Sequence, residues 1–429
     1  MGYTGGNRIR LGASELDFGY VVVGESVSGS FIIRNFSSDP IIISGYTLPD
    51  GSPFSLSASF PLSLAPLSEI TVNISFNPSG AGSFNHDLTL SPSTVPGWSG
   101  TVALIGGAAD ISGTLVNVPD DVPTIQAGIG IMDDGDTVLV SPGTYVEKLV
   151  LENKTLVIGS LYLTTGDTSY KSSTIVDGND EWRVLRIQDA DYTVISGLTI
   201  RNGHIVTSSG EGNYGGGVYI HNSSSNVRLE HLVIEDNYSE GDGGGVYSNS
   251  ENFTMEYCRV RNNTGNTGGG IYSSYSGGYF NECIIAGNTG SDQGGGGAQL
   301  QSALITNSIF RNNGFTDGQD YWGGGGLRVQ YTTMINCLVT GNTGGGIKCQ
   351  WSGQNYFYNV TIANNLDDEG NWNDQQAGLQ VDDGAEAFVM NCIIYGNDNN
   401  IEMTGWDSEK LEVHYSNIEG DQDGVSKGD

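Results

Sequence analysis

Positive charge is scarce in this chain of 429 residues, in which 17 Lys and Arg residues face 49 Asp and Glu and the formal net charge is −32. Only Arg8, Arg10 and Arg34 supply positive charge within the first 110 residues. Binding to nucleic acid depends on cations that neutralise phosphates, so the composition argues against nucleic acid as a partner. The excess of carboxylates is explained either by solubility alone or by divalent cations that bridge carboxylates at the surface.

Cysteine is also rare, with five residues in the whole chain. Four of them recur at one position of the repeat described below, namely Cys258, Cys283, Cys337 and Cys392. The fifth, Cys349, is expected to face inward as well. We therefore expect buried free thiols that act as small hydrophobic side chains, and no disulfide framework.

Long apolar runs are absent, and the first residues, Met1-Gly2-Tyr3, do not begin a signal peptide. A transmembrane helix needs about 20 apolar residues in succession, so we expect no membrane insertion of this chain. If the protein is exported, the start of the chain is expected to be the boundary of a mature protein. Because nothing resembling a closing cap precedes Asp429, we also expect the natural protein to continue and any C-terminal anchor to lie beyond this residue.

Glycine, by contrast, is abundant, and many of its 65 residues fall in a repeated register. Gly-rich segments, which we call Gly runs, each lead into an apolar residue. They begin at Gly215, Gly243, Gly268, Gly294, Gly323, Gly344 and Gly378. A second phrase ends each time on asparagine, at Asn237, Asn263, Asn288, Asn313, Asn342, Asn365 and Asn397. The gaps between these asparagines are 26, 25, 25, 29, 23 and 32 residues, which is typical of a solenoid with loop insertions.

Each repeat holds β-rich runs of three to five residues that are bounded by Gly, Asn and Ser, which predicts strands rather than helices. Three such strands make one coil, and successive coils stack at about 4.8 Å. The chirality of parallel crossovers predicts a right-handed parallel β-helix. We expect an inward stack of Val218, Val246, Ile271, Ala298, Leu327, Ile347 and Leu379. The recurring asparagines are expected to form a turn ladder, since Asn tolerates left-handed backbone and bonds to neighbouring backbone.

The first part of the chain predicts a different all-β domain. About seven short alternating segments separated by turn residues fill residues 14–110, which indicates an immunoglobulin-like β-sandwich. We expect residues 1–13 to be a flexible N-terminus and residues 111–123 a linker. Residues 124–429 are assigned to the β-helix. A helix from Thr124 to Met132 is expected to cap its open end, because an uncapped solenoid exposes its core and unpaired backbone.

Two resemblances accompany these predictions. Leu16-Asp17-Phe18-Gly19 with Gly24, Ile32 to Asn35, and Val72 to Pro78 resemble the ASH or choice-of-anchor D family of sandwiches, which implies a spacer or adhesion module without chemistry. The stretch from Thr124-Ile125-Gln126 to Gly143-Thr144-Tyr145 resembles the entry of pectin-lyase-like right-handed β-helices, including pectin methylesterases and choice-of-anchor Q surface proteins. That resemblance implies an exported, extracellular or cell-surface protein. No local motif in the later coils matches the Asp pair and Arg of pectin methylesterases.

Alternation along each strand after a Gly run predicts a row of outward residues. Candidate ligand-binding residues in these rows and the neighbouring loops are Tyr219, Tyr247, Tyr272, Gln299, Gln301, Gln330, Gln350, Trp322, Trp351 and Trp372. Aromatic rings and amides suit a polysaccharide, because rings stack on sugar faces and amides bond to hydroxyls. The alternative is that exposed strands simply favour Tyr and Gln for contacts across the sheet.

Two cations and nearby carboxylates allow a catalytic interpretation. A polysaccharide lyase uses Ca²⁺ on carboxylates to neutralise a uronate and a Lys or Arg to remove the proton at C5. Lys348 or Arg328 is the candidate base, and the candidate calcium ligands are Asp317, Asp320, Asp382 and Asp383. A glycoside hydrolase would need close carboxylates, for which no identifying motif is present. Both cations can equally be ordinary surface residues.

The leading hypothesis is therefore a non-catalytic, exported bacterial surface protein that binds polysaccharide or another cell-surface ligand through its β-helix. A calcium-dependent lyase that acts on acidic glycans is the rival, and a structural stalk or filament component is the third possibility. A lyase predicts a cation beside a carboxylate cluster in a groove. A binder predicts a tyrosine-lined strip without that cluster.

Overall fold

The structure is a computed structural model that describes residues 9–92, 95, 98–111, 113–206, 212–274, 278–291, 294–315, 324–366, 377–403 and 409–419. The chain divides into two compact units. The first contains Met1–Pro123 and Ala127–Met132, and the second contains Thr124–Gln126 and Asp133–Asp429. Among the described residues, no helix has both the length and the apolar character needed to cross a membrane.

The first unit is an immunoglobulin-like sandwich, as predicted. Its nine strands are β1 (Ile9–Leu11), β2 (Glu15–Val22), β3 (Val27–Asn35), β4 (Ile41–Thr47), β5 (Phe54–Leu56), β6 (Leu62–Leu64), β7 (Glu69–Phe76), β8 (Gly82–Pro92) and β9 (Gly100–Ala109). One sheet has the order β1-β3-β7-β5 and the other β2-β9-β8-β4-β6. Alternate residues are buried, and the rings of Phe54 and Phe76 stack 4.7 Å apart at the centre of the core.

Two segments of this part of the chain differ from the prediction. Residues 9–11 of the expected flexible N-terminus form β1, which pairs antiparallel with β3 and buries Ile9. The expected linker contains the strand β10 (Leu115–Val118), in which the alternating Val116 and Val118 are fully buried. Both segments are short and lie beside glycines, so their apolar alternation was hidden by turn-like composition.

The helix expected near residue 124 is present as α1 (Ile125–Ile131). Its first N–H groups, on Ile125 and Gln126, donate to the carboxylate of Glu147 at 3.0 and 2.9 Å. The side chain of Gln126 also donates to the carbonyl of Val150 at 3.1 Å and accepts from its N–H at 2.7 Å. Gln126 thus pairs with backbone at the first strand of a sheet, where no preceding coil exists. Closure of the whole end by this helix stays a prediction.

The second unit is a right-handed parallel β-helix. Sheet I comprises β11 (Thr137–Val140), β14 (Val157–Ser160), β17 (Val194–Ser196), β21 (Arg228–Glu230), β25 (Thr254–Glu256), β29 (Tyr279–Asn281), β33 (Leu304–Thr306), β37 (Thr333–Ile335), β40 (Gln354–Tyr358), β43 (Glu386–Met390) and β46 (Lys410–His414) in this order. Sheet II comprises β12 (Gly143–Val146), β15 (Thr174–Asp177), β18 (Thr199–Arg201), β22 (Val233–Glu235), β26 (Arg259–Arg261), β30 (Ile284–Ala286), β34 (Ile309–Arg311), β38 (Leu338–Thr340), β41 (Thr361–Ala363), β44 (Ile393–Tyr395) and β47 (Asn417–Ile418).

Sheet III follows the Gly runs. Its strands are β13 (Leu149–Glu152), β16 (Leu185–Gln188), β20 (Val218–Ile220), β24 (Val246–Ser248), β28 (Ile271–Ser273), β32 (Ala298–Gln301), β36 (Leu327–Gln330), β39 (Ile347–Cys349), β42 (Leu379–Val381) and β45 (Ile401–Met403). A short sheet IV, which was not predicted, comprises β19 (His204–Ile205), β23 (Tyr238–Ser239), β27 (Thr264–Gly265), β31 (Thr289–Gly290) and β35 (Gly314–Phe315). The helices α2 (Tyr162–Thr165) and α3 (Tyr170–Ser173) interrupt one early coil.

The interior contains the stacks that the repeat predicts. The apolar residue after each Gly run is fully buried and pairs in register with its equivalent one coil away, from Val218 to Leu379. All five cysteines are free and buried. Burial raises the pKa of the Cys337 thiol to about 11, so this thiol stays protonated and packs as an apolar group.

A buried ladder of asparagines ties the coils together, as expected. We call the seven residues Asn237, Asn263, Asn288, Asn313, Asn342, Asn365 and Asn397 the Asn ladder. Each of the first six donates from Nδ2 to the Oδ1 of the next at 2.8 to 3.0 Å. The left-handed backbone, however, belongs to the residue before each ladder position, for example Asn262 at φ 55°. The ladder asparagine is selected by its hydrogen bonds and not by its backbone conformation.

The last glycine of a Gly run packs directly against the side chain of an asparagine in the Asn ladder. A Cβ placed on Gly270, the last glycine of its run, would lie 2.5 Å from the carbonyl oxygen of Gly297 and 2.9 Å from the side chain of Asn288. Neither the carbonyl of Gly297 nor the side chain of Asn288 can move away, because hydrogen bonds between coils fix both groups. Only glycine therefore fits where the chain passes the ladder.

The ladder gives a direct stability test. Asn288→Ala would leave the N–H of Asn263 and the carbonyl of Val260 buried without their partners, which are 3.0 Å away in each case. Each unsatisfied group costs about 1–3 kcal/mol, so we expect a loss of about 3 kcal/mol in urea unfolding. The matched control is Asn281→Ala on the outer face of sheet I, where water replaces the lost bonds and the midpoint is expected to stay near wild type. Equal midpoints for the two variants would contradict the structural role of the ladder.

Candidate functional site

The candidate site lies on the outer face of sheet III. One in-register row there runs through Arg186, Tyr219, Tyr247, Tyr272, Gln299, Arg328, Lys348, Gln380 and Glu402. As the alternation predicts, the row contains the residue that follows each inward apolar residue, namely Tyr219, Tyr247, Tyr272, Gln299, Arg328, Lys348 and Gln380. The alternation of inward and outward residues therefore brings into one row side chains from Arg186 to Glu402, which are 402 − 186 = 216 residues apart in sequence.

The tyrosines of this row stack on one another. The ring centroids of Tyr219 and Tyr247 are 5.4 Å apart, and those of Tyr247 and Tyr272 are 5.1 Å apart with nearly parallel planes. Tyr214 stacks on Tyr247 at 4.7 Å, and the guanidinium of Arg183 lies 4.6 Å from the ring of Tyr219. The faces of the Tyr219 and Tyr247 rings are therefore covered by neighbouring rings and a guanidinium and are not open to a sugar, whereas a sugar contact of Tyr272 stays a prediction.

The two candidate bases are buried. Arg328 is 5% exposed and Lys348 3% exposed, so the floor of the site is not an open cationic surface. The Nζ of Lys348 lies 3.1 Å from the carboxylate of Asp382, and Arg328 donates to Gln299 at 3.3 Å. A general base must be neutral and must reach the substrate proton that it removes. The ion pair with Asp382 instead favours the charged ammonium of Lys348. A catalytic role of either residue stays a prediction that this geometry does not favour.

The candidate calcium ligands do not form a cluster among the described residues. Asp382 pairs with Lys348, and Asp383 accepts a hydrogen bond from Gln350 at 2.9 Å. In the part of the chain that the structure describes, no three His, Cys, Asp or Glu residues are grouped so that they could hold a metal ion. Asp317, Asp320, Trp322 and Trp372 lie outside the described residues. A calcium site that includes them stays a prediction.

The remaining candidates form a second row beside the first. Gln301 and Gln330 are paired in register and half-buried, whereas Gln350 is buried one coil further on. In the earlier coils Asn249 donates to the hydroxyl of Tyr247 at 2.7 Å and accepts from Ser274 at 2.6 Å. In the earlier coils the amide of Asn249 thus fixes the hydroxyl of Tyr247. In the later coils the amides of Gln301 and Gln330 border solvent.

The accessible part of the site is a turn that leads from sheet III to sheet I. We call Ser302, Tyr331, Trp351 and Asp383 the exposed turn, because they occupy equivalent positions on successive coils. All four have left-handed backbone, with φ between 50° and 58°. Tyr331 is 51% and Trp351 41% exposed, and one face of the Trp351 indole lies 4.1 Å from the guanidinium of Arg328. Trp351 was predicted; Tyr331 was missed, although it follows Gln330 as Trp351 follows Gln350.

Asp242 is a further residue that the sequence pattern did not single out. It lies in the loop before a Gly run and accepts from the N–H of Thr267 at 3.2 Å. Burial raises the pKa of this carboxyl, while hydrogen bonds from Thr267 and the charge of Arg328 act in the opposite direction. Nothing in its sequence context distinguishes it, because its burial depends on how loops of three coils stack.

A separate polar cluster surrounds His231. Its ring lies between Tyr162 and Tyr257, with centroids 4.4 and 4.6 Å away. The Nζ of Lys171 is 3.5 Å from Nδ1, and the Tyr162 hydroxyl is 2.8 Å from Nε2. The ammonium of Lys171 can only donate, which makes Nδ1 the acceptor, so Nε2 carries the proton of the neutral ring and donates to Tyr162.

Together these features define a parallel β-helix whose sheet III carries a compact polar and aromatic site. The sequence matches the family described as right handed beta helix region over residues 161–329 and 301–426, so the chain belongs to that family. Residues 7–105 match the HYDIN/CFA65/VesB-like Ig-like domain. No curated protein sequence matches the chain.

Solved structures show similarity in fold. Pectin methylesterase PemA from Erwinia chrysanthemi is 11% identical over 75% of this chain and 94% of its own, with a TM-score of 0.36. The ASH/PapD-like domain of human CEP192 is 16% identical over 26% of this chain and 92% of its own, with a TM-score of 0.21. Secreted serine protease VesC from Vibrio cholerae is 16% identical over 23% of this chain and 22% of its own, with a TM-score of 0.19. Likenesses this weak carry no argument about activity or ligand.

The buried ion pair gives a second test. Lys348→Met leaves the carboxylate of Asp382 beside an apolar side chain, and we expect the free energy of unfolding to fall by about 3 kcal/mol. Adding Asp382→Asn should restore part of the loss, because the uncompensated charge disappears. The control is Lys410→Met at the exposed pair of Lys410 with Glu412, which should leave the urea midpoint unchanged. Similar midpoints for Lys348→Met and wild type would contradict the pairing.

The His231 cluster predicts a dependence of stability on pH. Burial lowers the pKa of His231, and Lys171 lowers it further, while Glu256 acts in the opposite direction. Between the unfolded pKa of about 6.5 and the lower folded value, the unfolded state binds more protons, so stability falls as the pH falls. We expect His231→Phe, which keeps the ring between the two tyrosines, to lose this part of the pH dependence in urea unfolding. His414→Phe at an exposed histidine should keep the wild-type profile, and an unchanged profile in His231→Phe would contradict the assignment.

Proposed function

We propose that this β-helix binds a polysaccharide at the exposed turn without chemically altering it. The observation that supports this most directly is Trp351, whose indole is held on one side by Arg328 at 4.1 Å and remains 41% exposed. A ring fixed in this way loses little entropy when a ligand covers it. The C–H groups on a sugar face carry partial positive charge that suits the negative face of the ring.

Tyr331 extends the platform by one coil, which is about 4.8 Å along the axis of the β-helix. A left-handed backbone is unfavourable for bulky side chains such as Tyr and Trp, and Asn would fit there at lower cost. Strained backbone of this kind is common at functional sites. Gln301 and Gln330 lie behind the turn and supply amides to sugar hydroxyls.

We further propose that the protein is exported and acts at the cell surface, with the Ig-like sandwich as a spacer. The acidic composition and the architecture of a sandwich followed by a β-helix support this placement. The lyase alternative is weaker, because Lys348 is buried and paired with Asp382. A purely structural stalk would leave the strained, exposed aromatic pair without a role.

Affinity electrophoresis through gels that contain single polysaccharides tests the proposal. Trp351→Ala is expected to raise the Kd at least 10-fold for any retained glycan, which corresponds to about 1.4 kcal/mol, and Tyr331→Ala to raise it less. Trp351→Phe keeps a smaller platform and should lie between. The matched control is Tyr192→Ala, which removes a tyrosine that is 67% exposed at φ 56° but far along the β-helix.

Three outcomes would overturn the proposal. If no glycan in a broad panel retards the protein, it is not a polysaccharide binder. If Tyr192→Ala and Trp351→Ala weaken retention equally, the exposed turn is not the site. If mixing with a glycan and Ca²⁺ produces the ultraviolet absorbance of an unsaturated sugar, and Lys348→Ala abolishes it, the protein is a lyase.

A further inference from the structure

We infer that the polysaccharide bound at the exposed turn is uncharged and acts mainly as a donor of hydroxyl hydrogen bonds. This inference rests on the proposed function and narrows its ligand. Four charged residues meet at this end of sheet III, namely Arg328, Lys348, Asp382 and Asp383. These two cations and two carboxylates cancel one another, and Glu409, which accepts from the N–H of Gly384 at 3.1 Å beside Asp383, adds a negative charge among the described residues.

The cations are already engaged by protein groups. Lys348 lies 3.1 Å from the carboxylate of Asp382, and both are largely buried. Arg328 is covered by the indole of Trp351 and donates to Gln299 at 3.3 Å. An anionic sugar would have to break a buried ion pair or displace the indole to reach either positive charge, and breaking such a pair is costly.

The charged group that the turn offers to a ligand is an acceptor. Asp383 is exposed, and its carboxylate is oriented by the hydrogen bond from Gln350 at 2.9 Å. A sugar hydroxyl can donate to this carboxylate, whereas a carboxylate or sulfate group cannot.

The field of the whole protein acts in the same direction. A net charge of −32 repels polyanions, and the repulsion extends over about 8 Å at physiological ionic strength. A polycation would be attracted to the protein as a whole, but at the turn it would meet Arg328 and Lys348 one coil apart. The carboxylates around the turn therefore oppose a polyanion, and the two cations beneath it oppose a polycation.

The test compares three classes of polysaccharide on the intact chain. The probes are neutral β-glucan, galactomannan and xyloglucan, anionic polygalacturonate and alginate, and cationic chitosan. We expect retention by at least one neutral probe, lost in Trp351→Ala, with a Kd that changes less than about twofold between roughly 50 and 500 mM salt. Chitosan is expected to bind only in a salt-sensitive manner that Trp351→Ala does not affect.

The substitution Asp383→Asn is expected to change the Kd in opposite directions for a neutral and an anionic ligand. If hydroxyls donate to this carboxylate, the variant loses a charge-assisted bond and the Kd for the neutral probe rises about three- to tenfold. If the ligand is an anion, removing a negative charge lowers the Kd instead. Asp398→Asn, at a residue outside the turn, is the matched control and should leave the Kd unchanged.

The outcomes separate the two claims. Binding of polygalacturonate or alginate alone, with a tenfold or larger loss in high salt and dependence on Trp351, would overturn the neutral ligand and leave the proposed function standing. Binding of chitosan that depends on Trp351 and exceeds that of every neutral probe would do the same. Failure of all three classes to bind would remove the proposed function and this inference with it.

Discussion

The β-helix depends on one contact, in which a buried asparagine of the Asn ladder meets the last glycine of a Gly run. The asparagine satisfies backbone on two coils at once, as Asn288 does for the carbonyl of Val260 and the N–H of Asn263. A side chain on the facing glycine would collide with it. The two periodicities in the sequence are therefore one constraint, since neither residue type can change without the other being displaced.

This constraint separates the parts of a coil that must repeat from the parts that can vary. The strands of sheets I, II and III keep their register, because each strand pairs residue by residue with the equivalent strand of the next coil. In the described residues, the segment between the Asn ladder and the following Gly run pairs through the short strands of sheet IV, and it differs in length from coil to coil, so that the repeat varies from 23 to 32 residues. In sequence, these segments of variable length lead directly into the strands of sheet III, which carry the candidate site.

The repeat predicted the architecture closely because the responsible forces are periodic. Glycines, asparagines and inward apolar residues each report a contact with the same position one coil away, so sequence spacing suffices to find them. The mutual stacking of Tyr219, Tyr247 and Tyr272 follows from the same register, but its consequence, covered ring faces, was not recognised. The burial of Lys348 and the raised pKa of Asp242 depend on the paths of loops, which have no period in the sequence. Strand β1 was missed because three residues are too few to show alternation.

The buried charges of the site are better explained by positioning than by stability. A buried ion pair such as Lys348 with Asp382 gives little net stabilisation compared with an apolar pair of similar size. What the charged groups provide is fixed geometry at the neighbouring turn. Arg328 supports the indole of Trp351, and Gln350 holds the carboxylate of Asp383, so both exposed groups are oriented from below. A rigid platform on a rigid solenoid lowers the entropy that binding must overcome, and an apolar core at these positions would leave Trp351 and Asp383 free to move.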